Sequence, residues 1–125
     1  MVVGLGVDIA EVSRIEAAIT RHGAAFLERI YTPSEIAYCE RHRDRFVRYA
    51  GRFAAKEAAM KALGTGWSSG VRWVDIEVTR LPSGQPTLVL HGITQQHAER
   101  LGVRRTLLSI THSGDVAFAQ TIFEG

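Results

Sequence analysis

The stretch Gly51-Arg52-Phe53-Ala54-Ala55-Lys56-Glu57-Ala58-Ala59-Met60-Lys61-Ala62-Leu63-Gly64-Thr65-Gly66 places a carboxylate and two lysines on an otherwise small, apolar helix that stops at glycine. Glu57 and Lys61 stand four residues apart and Phe53 lies one turn earlier, so ring, carboxylate and ammonium share one face. Ala54, Ala55, Ala58, Ala59 and Ala62 favour helix and add little volume, which lets a neighbouring element approach closely. Taken alone, Glu before Lys at this spacing describes a surface ion pair worth only about 0.3–0.5 kcal/mol. The pattern extends back to Arg45 and predicts a helix over Arg45 to Leu63, about 28 Å long. Gly64 stops it, and Gly64-Thr65-Gly66 supplies flexible backbone beside Lys61 that could wrap a phosphate. It is not a Walker loop, because the lysine precedes the glycines and sits on the preceding helix.

Towards the N-terminus, Val2 to Ile9 reads as a strand with Asp8 at its end, where a carboxylate is fixed by the scaffold and can bind a cation or take a proton. Gly4-x-Gly6 is no dinucleotide fingerprint, since no third glycine opens a helix after it. Ser13-x-x-Glu16 has capping-box spacing and predicts a helix with Ile15, Ala18 and Ile19 on its apolar side and Arg14 and Arg21 two turns apart. After Gly23 the apolar pattern resumes at Phe26, Leu27 and Ile30, with Arg29 beside it. Thr32-Pro33-Ser34-Glu35 opens the next helix, Thr32 as N-cap and Glu35 reaching back.

Towards the C-terminus, strands are predicted at Trp73 to Thr79 and Thr87 to Leu90 around the turn Pro82-Ser83-Gly84, and a short helix at Thr94 to Leu101. A last hairpin, Thr106 to Thr111 and Val116 to Ile122, turns through His112-Ser113-Gly114-Asp115. His112 sits where a side chain can project into a cleft, although the turn alone explains its neighbours. The order implies an α+β fold, with helices packed on a largely antiparallel sheet.

At 125 residues, 46% hydrophobic and 22% charged, the chain has the size and composition of one globular domain, 1–125. Cys39 is the only cysteine, which excludes an internal disulfide and matches no zinc spacing. With no basic leader and no apolar run of membrane-spanning length, a cytoplasmic protein is expected. Net charge is only +2, yet Arg41, Arg43, Arg45, Arg48, Arg52, Lys56 and Lys61 face only Asp44 and Glu57 in the middle of the chain. Such a patch suits closely spaced negative charge on nucleic acid, a phosphorylated small molecule or an acidic protein.

Three motifs narrow this choice. Gly4-Leu5-Gly6-Val7-Asp8-Ile9, the central Gly51-to-Gly66 stretch and Ser109-Ile110-Thr111-His112 together resemble the short, bacterial type of 4′-phosphopantetheinyl transferase, the holo-[acyl-carrier-protein] synthases. They occur in family order and cover the chain from end to end. The resemblance implies the 4′-phosphopantetheinyl transferase-like fold and transfer of the phosphopantetheine arm of coenzyme A to a serine of apo acyl carrier protein. It implies Asp8, Glu57 and Lys61 as catalytic residues, Asp8 and Glu57 holding Mg²⁺ and Lys61 facing the pyrophosphate. Arg52, Phe53, Gly64, Thr65, Gly66 and His112 are implied as coenzyme A contacts. Arg14, Arg21 and Arg29 are implied as the surface that meets the acidic carrier protein, with Ala18 standing where the family has a bulkier apolar residue. Homotrimers with sites at subunit boundaries are implied as well. Glu57, a metal-bound water and a phosphate oxygen are all chemically able to accept the serine proton.

Two other classes account for less. A nucleic-acid module would interleave aromatics with its arginines, and the 41 to 61 stretch offers only Phe46, Tyr49 and Phe53. A non-catalytic scaffold for acidic proteins would use the arginines and need no metal. The nucleic-acid module also leaves Asp8 and Glu57 unexplained, magnesium dependence separates the scaffold from an enzyme, and neither nucleic acid nor membrane is an expected partner.

Overall fold

The computed structural model describes residues Met1–Gly125. The elements run β1 (Val2–Glu11), α1 (Val12–His22), α2 (Ala24–Ile30), α3 (Pro33–Glu40), α4 (Arg45–Leu63), a 3₁₀ turn (Trp73–Asp75), β2 (Ile76–Arg80), β3 (Pro86–Leu90), α5 (Gly92–Leu101), β4 (Arg105–Ser113) and β5 (Val116–Glu124). The fold is α+β, as expected, with every strand pair antiparallel. The strands form two sheets where one was expected: β1-β5-β4, and the hairpin β2-β3 by itself.

The long helix α4 lies against one face of the three-stranded sheet, and small residues set how close it comes. Gly4 and Gly6 on β1 sit so near the Ala62 and Ala58 carbonyls that a Cβ on either glycine would collide with helix backbone. Ala117 and Ala119 on β5 and Ala54, Ala58 and Ala62 on α4 are all buried on the same contact. The two N-terminal glycines therefore serve close packing, in keeping with the absence of a nucleotide fingerprint.

A second tether fixes how α4 is rolled. Lys56 and Glu35 are both fully buried and pair at 2.8 Å. The Lys56 ammonium also donates to the carbonyls of Trp73 (3.1 Å) and Ile76 (2.6 Å). Glu35 accepts from the main-chain N–H of Thr32 (2.8 Å) and Val78 (2.9 Å). The expected capping box at Thr32 is present, but its glutamate does more than cap, because it also neutralises a buried lysine and ties α3, α4 and β2 together.

Three local expectations are corrected. Strand β1 runs past Asp8 to Glu11, so Asp8 is an interior strand residue, opposite Ala119 of β5 and turned towards α4. Helix α1 begins directly at Val12 without a side-chain cap. Its free N–H groups are satisfied from the β4–β5 turn, where the Asp115 carbonyl accepts from Val12 N (2.8 Å) and its carboxylate from Ser13 N (3.0 Å). That long-range partner displaces the local box at Ser13 and Glu16. Finally, the segment expected as a strand from Trp73 opens as a 3₁₀ turn before β2; the interruption expected at Gly23 is present, its φ of 56° separating α1 from α2.

Candidate active site

On the flank of α4 that faces β1, the fold brings Asp8, Glu57 and Lys61 together. Lys61 does not pair with Glu57, the partner its spacing suggests. Its ammonium donates instead across to Asp8 Oδ1 (3.3 Å) and the Val7 carbonyl (3.1 Å). Asp8 is mostly buried and its Oδ2 meets no N–H or hydroxyl donor. The Glu57 carboxyl lies beside Asp8. Burial first, then a hydrogen bond to Asp8 and the repulsion of its charge, push Glu57 up to about 7 against the pull of Lys61.

Two carboxyls in contact need a proton or a cation between them. No third His, Cys, Asp or Glu joins the pair. A magnesium ion suits such a donor set, taking one or two protein carboxylates and leaving the rest of its octahedron to phosphate oxygens and water. The orphaned Asp8 oxygen and the raised Glu57 carboxyl both fit that occupant.

Beside the acids a groove of about 500 Å³ opens between α1 and α4, lined in part by Arg14, Ala18, Phe26, Phe53 and Glu57. Phe53 forms its wall and stacks on Trp73 at 4.7 Å. Arg14 is exposed at the groove rim, Arg21 is exposed in the last turn of α1, and Arg29 lies over the Trp67 ring at 5.7 Å. Of the three arginines expected to form the cationic surface, only Arg14 lines the groove that reaches Glu57; Arg21 stands beside Ser13, Glu16 and Thr20 on α1, and Arg29 beside Trp67 and Trp73.

The opposite flank of α4 carries a different chemistry. A cleft of about 270 Å³ is lined by Tyr38, Arg48, Arg52, Arg80, His112 and the Gly84–Pro86 turn, among others. Arg52 is only 6% exposed, and its Nε has no partner. A buried guanidinium with an unmet donor is costly unless an acceptor arrives.

The expected coenzyme A contacts therefore do not form one cluster in a single chain. Arg52 and His112 share the basic cleft, whereas Phe53 faces the acids. Gly64, Thr65 and Gly66 follow Lys61 at the far end of α4, about 18 Å along the axis from Arg52. Gly64 ends the helix in the left-handed conformation, as its position predicts. Sequence reasoning missed Tyr38 and Arg80 as parts of the cleft. Arg48 lay inside the cationic run, but nothing local connects Arg80 on β2 with α3 and α4.

Comparison with known proteins assigns the family. A holo-[acyl-carrier-protein] synthase of Solibacter usitatus is 58% identical over 99% of both chains. The structure is similar to that of the holo-[acyl-carrier-protein] synthase of Neisseria meningitidis, with a TM-score of 0.91, 32% identity and full coverage of both chains. It is also similar to the Helicobacter pylori holo-[acyl-carrier-protein] synthase in complex with coenzyme A, with a TM-score of 0.85 and 32% identity over 96% of this chain and 99% of that one. The family model described as the 4′-phosphopantetheinyl transferase superfamily matches residues 4–120, and the chain belongs to that family.

Proposed function

We propose that this chain transfers the 4′-phosphopantetheine arm of coenzyme A to a serine hydroxyl of an apo acyl carrier protein, releases adenosine 3′,5′-bisphosphate, and depends on Mg²⁺. The observation that carries this reading is the contact between the Asp8 and Glu57 carboxyls beside the Lys61 ammonium. Phosphoryl transfer asks a protein mainly for positioning and charge neutralisation. A divalent cation on Asp8 and Glu57 would supply neutralisation of the pyrophosphate oxygens. Lys61, more than half exposed and anchored on Asp8, offsets charge gathering on the leaving phosphate as its P–O bond breaks. The serine oxygen forms the new P–O bond, and its proton passes to a nearby oxygen. Glu57, a phosphate oxygen and a water molecule are each chemically able to accept it.

The carrier protein docks on Arg14, Arg21 and Arg29, its acidic helix steered by them, and presents its serine through the groove walled by Phe53. The nucleotide end of coenzyme A lies in the basic cleft at Arg52 and His112, with the pyrophosphate towards Lys61 and the Gly64-Thr65-Gly66 backbone. The reaction belongs in the cytoplasm, which suits a free, buried Cys39 thiol and a chain in which no helix is long and apolar enough to cross a membrane.

Acid and basic flanks face opposite ways from α4, and a homotrimer with sites at subunit boundaries reconciles them. The outer face of the three-stranded sheet exposes Leu5 (56%), Val7 (37%), Ile9 (58%) and Val116 (38%), an apolar patch on a small domain. Asp8 lies on one edge strand of that sheet and His112 on the other. A head-to-tail contact between unlike edges closes into a ring, and each junction then joins the acids of one chain to the cations of the next.

The test is the intact mass of apo acyl carrier protein incubated with this chain, coenzyme A and magnesium. A gain of about 340 Da, the arm expected in this chemistry, that vanishes with chelator or with a carrier Ser→Ala variant supports the reading; no gain with verified apo carrier rejects it. Mixing an Asp8→Asn chain with an Arg52→Ala chain, each inactive alone, recovers activity if one site draws on two subunits, and stays silent if it does not.

A further inference from the structure

Like charges avoid one another unless something holds them, and four guanidiniums crowd a single ring here. The carbon centres of Arg52, Arg80, Arg41 and Arg48 lie 4.1, 5.1, 5.6 and 5.8 Å from the centroid of Tyr38. Arg48 and Arg80 each donate an Nη1–H to the Tyr38 hydroxyl at 2.9 Å. Among the four, only Arg48 has a carboxylate partner, Asp44 at 3.1 Å. Arg52, nine-tenths buried, has an Nε donor without an acceptor and lines the same cleft as Arg48, Arg80 and His112.

The phenol does two things at once. Its π-face accepts the Arg52 cation. Its oxygen accepts two charge-assisted bonds, so Arg48 and Arg80 are brought side by side without a bound anion. Because the hydroxyl accepts both bonds, its own hydrogen is left to donate outwards. The result is a preformed fan of N–H and O–H donors over one cleft. Such a fan suits a terminal phosphomonoester, with three free oxygens and a charge approaching −2 at neutral pH, better than a phosphodiester link with less charge and fewer free oxygens.

We propose that Tyr38 is a positioning residue that holds Arg48, Arg52 and Arg80 as a clamp for the 3′-phosphate of coenzyme A, and so sets the preference for coenzyme A over its 3′-dephosphorylated form. This rests on the reading of the basic cleft as the nucleotide end of the site. Preorganisation is the physical basis: without the hydroxyl, Arg48 and Arg80 lose their common acceptor, and ordering them falls to the ligand.

Tyr38→Phe removes the hydroxyl and keeps the ring; Tyr38→Leu removes both. With Tyr38→Phe, KM for coenzyme A should rise about tenfold while KM for dephospho-coenzyme A moves by less than about twofold. With Tyr38→Leu the gap between the two donors should narrow further. Calorimetry with adenosine 3′,5′-bisphosphate and adenosine 5′-monophosphate reads the same clamp without turnover. The wild-type chain should bind the bisphosphate more tightly, and Tyr38→Phe should erase most of that difference. An unchanged preference in both variants, or an equal weakening of both donors, overturns the proposal, as does a wild-type chain that binds the two nucleotides alike. If the wild-type chain moves no phosphopantetheine but still selects the bisphosphate in a Tyr38-dependent way, the transfer reading fails and the clamp stands.

Discussion

On one flank of α4 the carboxyls of Asp8 and Glu57 are brought together by backbone packing, because Gly4 and Gly6 let β1 lie directly under the helix and each acid is a short reach from its own backbone. On the other flank the guanidiniums of Arg48, Arg52 and Arg80 stand on different elements and are held by side chains meeting at Tyr38. The acid pair is thus a property of how two elements pack, and the cationic cleft a property of one ring and its hydroxyl. Between them the buried Lys56–Glu35 pair fixes the roll of α4, on which both arrangements depend. The two flanks should therefore fail separately when probed at their own supports, and together when the shared helix is disturbed.

The largest effect is expected on the acid flank. Glu57→Gln keeps shape and one hydrogen-bonding oxygen but removes the charge that a divalent cation needs. Transfer should fall by about 10³-fold or more, while calorimetric affinity for the apo carrier stays close to that of the unmodified chain. Loss of both together would mean that Glu57 shapes the docking surface, and would count against the role assigned to it.

Next come the two lysines of the same helix, five residues apart and opposite in kind. Lys56 is fully buried with three partners, whereas Lys61 is more than half exposed. Lys56→Met leaves Glu35 charged and unpaired inside the protein, and should destabilise the fold by about 3–5 kcal/mol in denaturant unfolding. Lys61→Met should leave the denaturation midpoint nearly unchanged and lower transfer by about 10²-fold. A reversal of that pattern would reverse the division between structural and catalytic charge on α4.

This contrast also marks where the sequence was readable. The bounds of α4, Arg45 to Leu63, follow from alanine content and the glycine stop, and the helix has those bounds. The coupling of Asp8 to Glu57 was available from the motif resemblance, since local periodicity relates neither residue to the other. What stayed hidden depends on distant partners. Lys61 has an obvious neighbour at Glu57, yet Asp8, half the chain away, takes it. Ser13 looks like a helix cap, but Asp115 satisfies the start of α1. Glu35 reads as a cap and is one, while its second role needs Lys56 and Val78 to be brought over it. Arg80 has no local sign of function because the cleft exists only where β2 meets α3 and α4.

A smaller structural effect should distinguish support by packing from support by side chains. Gly6→Ala inserts a methyl group against the Ala58 carbonyl, which helix backbone cannot vacate without moving α4. Overpacking of this kind costs about 1–3 kcal/mol, and the shift also parts Glu57 from Asp8. Magnesium-dependent stabilisation, read as the change in thermal midpoint on adding the ion, should shrink in Gly6→Ala. The affinity for adenosine 3′,5′-bisphosphate, which depends on the Tyr38 side, should change less. Equal losses on both would show that the flanks are not mechanically independent.

The smallest effect is a slope. In the absence of divalent cations the folded chain keeps the Glu57 proton up to about pH 7, while the unfolded chain releases it near the ordinary glutamate value of 4.5. Between those values the folded state binds more protons, so unfolding free energy must fall as pH rises through that window, and it levels off above the folded value. Glu57 is partly open to solvent, and after allowance for screening the fall should be on the order of 1 kcal/mol. Glu57→Gln should flatten this component, and saturating magnesium should flatten it too, because a cation replaces the proton between the two carboxyls. Arg52→Ala should leave the slope in place, since its guanidinium lies on the other flank. A slope that survives Glu57→Gln would assign the titration to another group, and one that disappears in Arg52→Ala would mean that the cationic cleft and the acid pair share one field across the helix.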